Sequence, residues 1–119
     1  MKYMMLVCWD VTAMNGQPDP TPAELAEHED ETFPWLEDVD KRGVRLDGDM
    51  LAPPRKARTV RARDGKTVVT EGPFIETKEA IGGFDILECG SLEEAVEIAA
   101  AHPVIEAGGT IEVRPFFGG

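Results

Sequence analysis

The side chains with the greatest chemical reach in this 119-residue chain are two histidines and a set of carboxylates. His28 lies three residues after Leu25 and four before Thr32, on one stripe of a predicted helix. That stripe should face a sheet rather than water. A neutral imidazole there, with an unperturbed pKa of about 6.5, suits a general base. The competing reading is a histidine packed and hydrogen-bonded in the core. Asp49, which follows Gly48 in a weak strand, and Asp10, at the end of the first strand, are the candidate carboxylate partners. Both also suit ordinary turn or strand-end roles. His102 precedes Pro103 at a helix end, where a cationic side chain would complement the helix dipole.

A second group has the charge to hold a ligand. Arg55, Lys56, Arg58, Arg61, Arg63 and Lys66 form a basic island that could hold a carboxylate. Neutralising nearby acids on an exposed hairpin is the competing role. Arg61, Glu76 and Lys78 are the polar candidates for substrate contact, and Trp9 is the apolar one. No HxxxH or HxH spacing occurs, and neighbouring acids on a helix face different ways, so no metal site is expected. The chain has no phosphate loop, nucleophile elbow or dinucleotide fingerprint, so no cofactor is expected either.

The 12 bases and 23 acids give a net charge of −11. Nucleic acid and anionic membrane surfaces both select basic partners, so neither is an expected ligand. The charge is uneven. Residues 10–50 carry 12 acids and 3 bases, residues 51–70 carry 6 bases and 1 acid, and residues 71–119 carry 10 acids and 2 bases. No apolar run approaches the roughly 18 residues of a membrane helix, and the opening segment is not a signal peptide. A cytoplasmic protein is expected.

These side chains must be positioned by regular elements. Lys2 to Trp9 reads as a strand that is apolar on both faces and therefore central. Asp10 to Pro20 reads as a loop. Thr21-Pro22-Ala23-Glu24 is a capping box opening a helix that ends at Gly43. Pro34 should kink or divide that helix. Val44 to Leu51 is a weak strand interrupted by Gly48, and Pro53-Pro54 blocks regular structure. Thr59–Arg63 and Thr67–Thr70 flank Asp64-Gly65-Lys66, a hairpin signal. Residues 75–81 read as a loop or short helical turn, and Gly83 to Cys89 as a strand. Ser91-Leu92-Glu93-Glu94 is a second capping box. The helix it opens should bury Leu92, Ala95, Val96, Ala99 and Ala100. Thr110 to Pro115 is the last strand.

The order predicts an α+β fold, a ferredoxin-like βαββαβ plan with an inserted β-hairpin, in a single domain. Two helices cover only one face of such a sheet. The apolar second face of the first strand then calls for a second copy of the chain, a homodimer. The same plan makes the first and third core strands antiparallel neighbours. Cys8 and Cys89 then sit at opposite ends, too far apart to bridge.

Leu51-Ala52-Pro53-Pro54, Thr59-Val60-Arg61, Glu71-Gly72-Pro73-Phe74, Glu76-Thr77-Lys78-Glu79 and Gly82-Gly83-Phe84 together resemble the YCII-related family, in its DGPF branch. The naming motif reads EGPF in this chain. The resemblance implies a dimeric α+β barrel. Family members resemble muconolactone isomerases and related dehalogenases, and a histidine–aspartate pair has been proposed as their active site. His28 matches the family histidine, whereas His102 stands where the aspartate would fall. The branch also resembles proteins linked to alternative sigma factors.

The function these readings support is cofactor-free proton transfer on a small organic acid, isomerase- or lyase-like. It would occur in an apolar cleft between the first helix and the sheet, lined by Trp9, Met50 or Trp35, with His28 as proton carrier. The rival reading is a non-catalytic dimeric module that binds a protein, linked to sigma-factor control.

Overall fold

A computed structural model gives the structure over residues 1–73 and 78–118, with the side chains of residues 28–33 left aside. The chain runs β1 (Lys2–Asp10), α1 (Val11–Gly16), α2 (Pro22–Lys41), β2 (Arg45–Met50), β3 (Arg58–Arg63), β4 (Lys66–Glu71), β5 (Glu79–Glu88), α3 (Leu92–Ala100), α4 (Pro103–Glu106) and β6 (Thr110–Pro115). A single 3₁₀ turn, Pro54–Lys56, precedes β3.

Four strands form the main sheet, in the order β2-β5-β1-β6, with every neighbouring pair antiparallel. This is the ferredoxin-like order expected from the sequence, with β3 and β4 as a separate two-stranded hairpin. β1 is central, as its two apolar faces require. Asp64 and Gly65 both take left-handed backbone angles, φ 52° and 76°, which a two-residue turn of the hairpin-favoured hand demands.

The helices pack on one face. Tyr3 and Met5 of β1, Leu87 of β5, Trp35 and Val39 of α2, and Ala95, Ile98 and Ala99 of α3 make the core, with Val44 at its edge. Trp35 Nε1 donates to the Ile98 carbonyl at 2.9 Å, joining the two helices. α3 buries Ala95 and Ala99 of the expected stripe together with Ile98, whereas Leu92, Val96 and Ala100 are exposed. The small alanines are the residues that let the helix lie close on the sheet.

The capping box at Thr21 forms in full, and Ser91 accepts from Glu94 N. The carboxylate of Glu94 reaches Gly90 N instead of the Ser91 amide, so the second box closes one residue early.

Two expectations are corrected. Residues 11–16 are a helix, because Asp10 caps it by accepting from Ala13 N at 2.8 Å. α2 also runs undivided through Pro34. The hydrogen bond lost at proline is local, whereas Trp35 and Val39 hold the helix to the sheet from the residues that follow.

Among the described residues, the core that α2 and α3 make with the sheet lies on one face, and the other face takes no part in it. Cross-strand partners share a face, so Met4, Ile86, Leu6, Phe84, Cys8 and Ile81 lie there together. Cys8 and Cys89 are free thiols at opposite ends of the β1–β5 pair, as the register expected. Among the described residues, no helix is long and apolar enough to cross a membrane.

Candidate functional site

The chain topology gathers chemistry at one end of the main sheet. β1 ends there at Trp9 and Asp10, β5 begins there at Glu79, and β2 arrives there with Asp49 and Met50. α2 starts from that end and runs back toward the start of β2, which places the backbone of His28 in its N-terminal half. The side chain of His28 lies outside the described residues, and so does the whole of Glu76.

An apolar groove of about 410 Å³ opens at this end. Its walls are Leu51, Pro53, Pro54 and Pro73 from the connecting segments and Ala80 and Ile81 from β5. Leu51 N donates to the Gly82 carbonyl at 2.8 Å, which fixes the 51–54 segment to the strand. Lys56 is the charged residue on the groove. Its Nζ donates to Asp19 at 2.6 Å, and Arg55 donates to the other oxygen of the same carboxylate at 2.7 Å. The hydrogen bond from Lys56 is the main reason the Asp19 carboxyl lies below its ordinary value. Arg55 N also donates to Asn15 Oδ1. The 3₁₀ turn is thereby anchored to α1 and the segment after it.

The other predicted site residues scatter. Trp9 is half-buried, with its ring edge filling the space a Cβ at Gly109 would need, 2.6 Å from that position. Asp49 is exposed and accepts from Met50 N at 2.8 Å. It pairs with Phe84, so it lies on the sheet face away from the helices and not beneath α2. Arg61 is on β3 opposite Val68, half-buried in the hairpin. Lys78 is exposed, and its carbonyl accepts from Val11 N. Trp35 is buried, 6% exposed, and its ring nitrogen is already bonded, so it lines no cleft. Met50 is largely exposed. The cleft expected among Trp9, Met50 and Trp35 is therefore not assembled, and the groove lies beside it on the connecting segments.

The side chain of His102 serves the start of the next helix rather than the end of α3. It caps the start of α4, its Nδ1 accepting from Val104 N at 3.0 Å, which requires Nδ1 to be unprotonated. Its ring meets Trp35 edge-on, with centroids 4.7 Å apart.

Sequence reading missed a buried ion pair. Asp85 is 7% exposed and accepts from Arg45 Nε at 2.8 Å. Burial pushes the Asp85 carboxyl above its ordinary value despite Arg45, while the guanidinium is held more firmly protonated by its acidic neighbours. Arg45 also donates to the Gly48 carbonyl. A Cβ at Gly48 would fall 2.2 Å from Asp85 Oδ1 and 2.7 Å from the Phe84 carbonyl. The glycine read as a break in the strand is the space the ion pair occupies. The available signal was an aspartate in the middle of an otherwise apolar strand.

Several known proteins are similar to this chain. It is 44% identical over 69 residues to the uncharacterized protein R00369 of Rhizobium meliloti (strain 1021), a match covering 55% of this chain and 53% of that protein. The chain thus spans about half the length of that curated relative. Among solved structures, it is similar to the 5-chloro-2-hydroxyhydroquinone dehydrochlorinase of Burkholderia phenoliruptrix AC1100 in complex with 2,5-dihydroxybenzoquinone. The identity is 17% and the TM-score 0.48, over 98% of this chain and 93% of that one. The model of the YCII-related domain matches residues 1–117, and the chain belongs to the YCII-related family.

Proposed function

We propose that this protein is a homodimer that binds a small organic acid in the groove beside β5 and moves a proton on it without a cofactor, with His28 as the proton carrier. The groove is the observation that carries this reading. Its volume of about 410 Å³ falls within the ~300–1,000 Å³ of small-molecule sites. Its walls are apolar, with one ammonium on it, the pattern that excludes water and orients an anion. Lys56 has three donor hydrogens, and the bond to Asp19 uses one, which leaves others for a ligand carboxylate. α2 brings His28 toward the same end of the sheet. A neutral imidazole titrating near pH 6.5 suits proton transfer at neutral pH.

The dimer is supported by surface and shape. The chain exposes 8221 Å², against about 6,300 Å² for a compact monomer of this mass. Its radius of gyration is 16.0 Å, against about 13.5 Å for a compact chain of this length. The excess surface is of the order that permanent homodimers bury, about 1,000 Å² or more per subunit. The uncovered sheet face has an apolar centre of Met4, Leu6, Phe84 and Ile86, flanked on β6 by Glu112 and Arg114, which suits it to be that interface.

The test is a titration with benzoate, a hydroxybenzoate and an unsaturated dicarboxylate, followed by ligand-observed NMR. At least one acid should bind. Ile81→Trp, which fills the groove, should weaken that binding tenfold or more. His28→Ala should leave binding intact and abolish deuterium incorporation into the bound acid from heavy water. Binding of no acid, or binding indifferent to Ile81→Trp, overturns the proposal.

A further inference from the structure

The β3–β4 hairpin stands apart from the rest of the fold. Among the described residues, its strands hydrogen-bond to each other and to no other strand. It is tied at its base, where Gly72 N donates to the Ala57 carbonyl and Thr59 Oγ1 to the Gly72 carbonyl. A two-stranded hairpin alone in water is marginal. Such an element normally needs a surface to lie on.

One of its faces is suited to that. Val60 and Val69 are direct cross-strand partners, exposed at 64% and 59%. Ala62 and Thr67 continue the same face toward the turn. The tip is cationic: Arg63 and Lys66 are cross-strand partners at its end, on the face opposite Val60 and Val69. Among the described residues, neither Arg63 nor Lys66 makes an ion pair, although the whole chain carries a charge of −11.

The complementary surface is on the main sheet. Asp47 and Asp49 of the edge strand β2 lie on its uncovered face, paired with Ile86 and Phe84. Each carboxylate accepts from the backbone amide of the residue after it, and among the described residues neither has a cationic partner. An apolar, basic arm and an apolar sheet face rimmed by free carboxylates occur in the same chain, and the arm does not reach its own sheet.

We propose that the β3–β4 hairpin is an intersubunit arm. Val60 and Val69 pack on the uncovered sheet face of a second copy, and Arg63 and Lys66 pair with Asp47 and Asp49 of that copy. The inference rests on the homodimer proposed above and adds what holds it. A two-fold interface uses each contact twice, so one arm per subunit gives two sets of contacts.

Sedimentation velocity of the full chain over a concentration series tests this. The wild type should be a dimer. Val60→Asp/Val69→Asp should raise its dissociation constant at least tenfold. Val60→Thr/Val69→Thr, which keeps the β-branched shape, should do so by less, with the far-ultraviolet circular dichroism of both variants unchanged. Arg63→Glu/Lys66→Glu should weaken association to a similar degree, and adding Asp47→Lys/Asp49→Lys should restore it. A wild type that stays monomeric at all concentrations removes the dimer reading itself. A dimer insensitive to the valine and charge substitutions leaves that reading standing and overturns the arm. Weakening by charge reversal without restoration by the swap overturns the assignment of Asp47 and Asp49.

Discussion

Gly48, Asp85 and Arg45 form a unit in which each residue depends on the other two. Arg45 spans from the Asp85 carboxylate to the Gly48 carbonyl, and the missing side chain at Gly48 is what admits them. Gly48→Ala should therefore lose about 1–3 kcal/mol of stability in urea unfolding, as overpacking usually does, with little change in secondary structure. Asp85 adds a pH signature. Burial raises its folded value above the unfolded one, so the folded state binds this proton more tightly. Its contribution to stability is full below the ordinary carboxylate value and is lost as pH rises through the raised folded value. Asp85→Asn should flatten that part of the stability–pH curve, and a slope identical to wild type would contradict the assignment. Trp35→Phe keeps most of the ring but removes the buried indole bond to the Ile98 carbonyl, which then keeps the 3.3 Å bond from Ala101 N. It should cost about 1–3 kcal/mol, measured by the same unfolding.

The elements show where sequence reading succeeds and where it does not. The capping box at Thr21 was legible because its two hydrogen bonds are encoded three residues apart, and both form. Thr21→Ala should lower stability by about 1 kcal/mol through that cap alone. The hairpin was legible because Asp64-Gly65 accepts left-handed angles that most residues resist. α1 was not, because Val11–Gly16 is too short to show a period, and its start depends on a single aspartate that also ends a strand. Pro34 misled because a local rule was weighed without the packing of Trp35 and Val39 around it. The groove was illegible for a similar reason. Pro53-Pro54 reads as a block to regular structure, yet Pro54 opens a 3₁₀ turn, and what makes the segment a wall is the bond from Leu51 N to Gly82 on a distant strand. His102 was assigned from its place after α3, whereas its partner is the amide two residues ahead.

At the scale of the molecule, the structure has one finished side and one unfinished one. α2 and α3 close over Tyr3, Met5 and Leu87, while Leu6 and Phe84, half-buried, lie on the face turned away from that core. If two copies pair through this face as proposed, Leu6→Glu/Phe84→Glu should give a monomer by light scattering with the helix-side core intact, since both lie on the opposite face of the sheet. A dimer surviving that pair would move the interface elsewhere. The sheet order could be read from the sequence because it follows from element order and handedness. The projection of the hairpin could not, because only the three-dimensional arrangement shows that β3 and β4 pair with nothing else.

The placement of the two thiols has one more consequence. Cys8 and Cys89 sit at opposite ends of the antiparallel pair at the centre of the sheet, and burial raises the pKa of both. Both are half-buried, and the raised pKa leaves less thiolate to react at a given pH. Alkylation followed by peptide mass mapping would time the fraying of the two ends separately, with native residues as the clocks and no label engineered in.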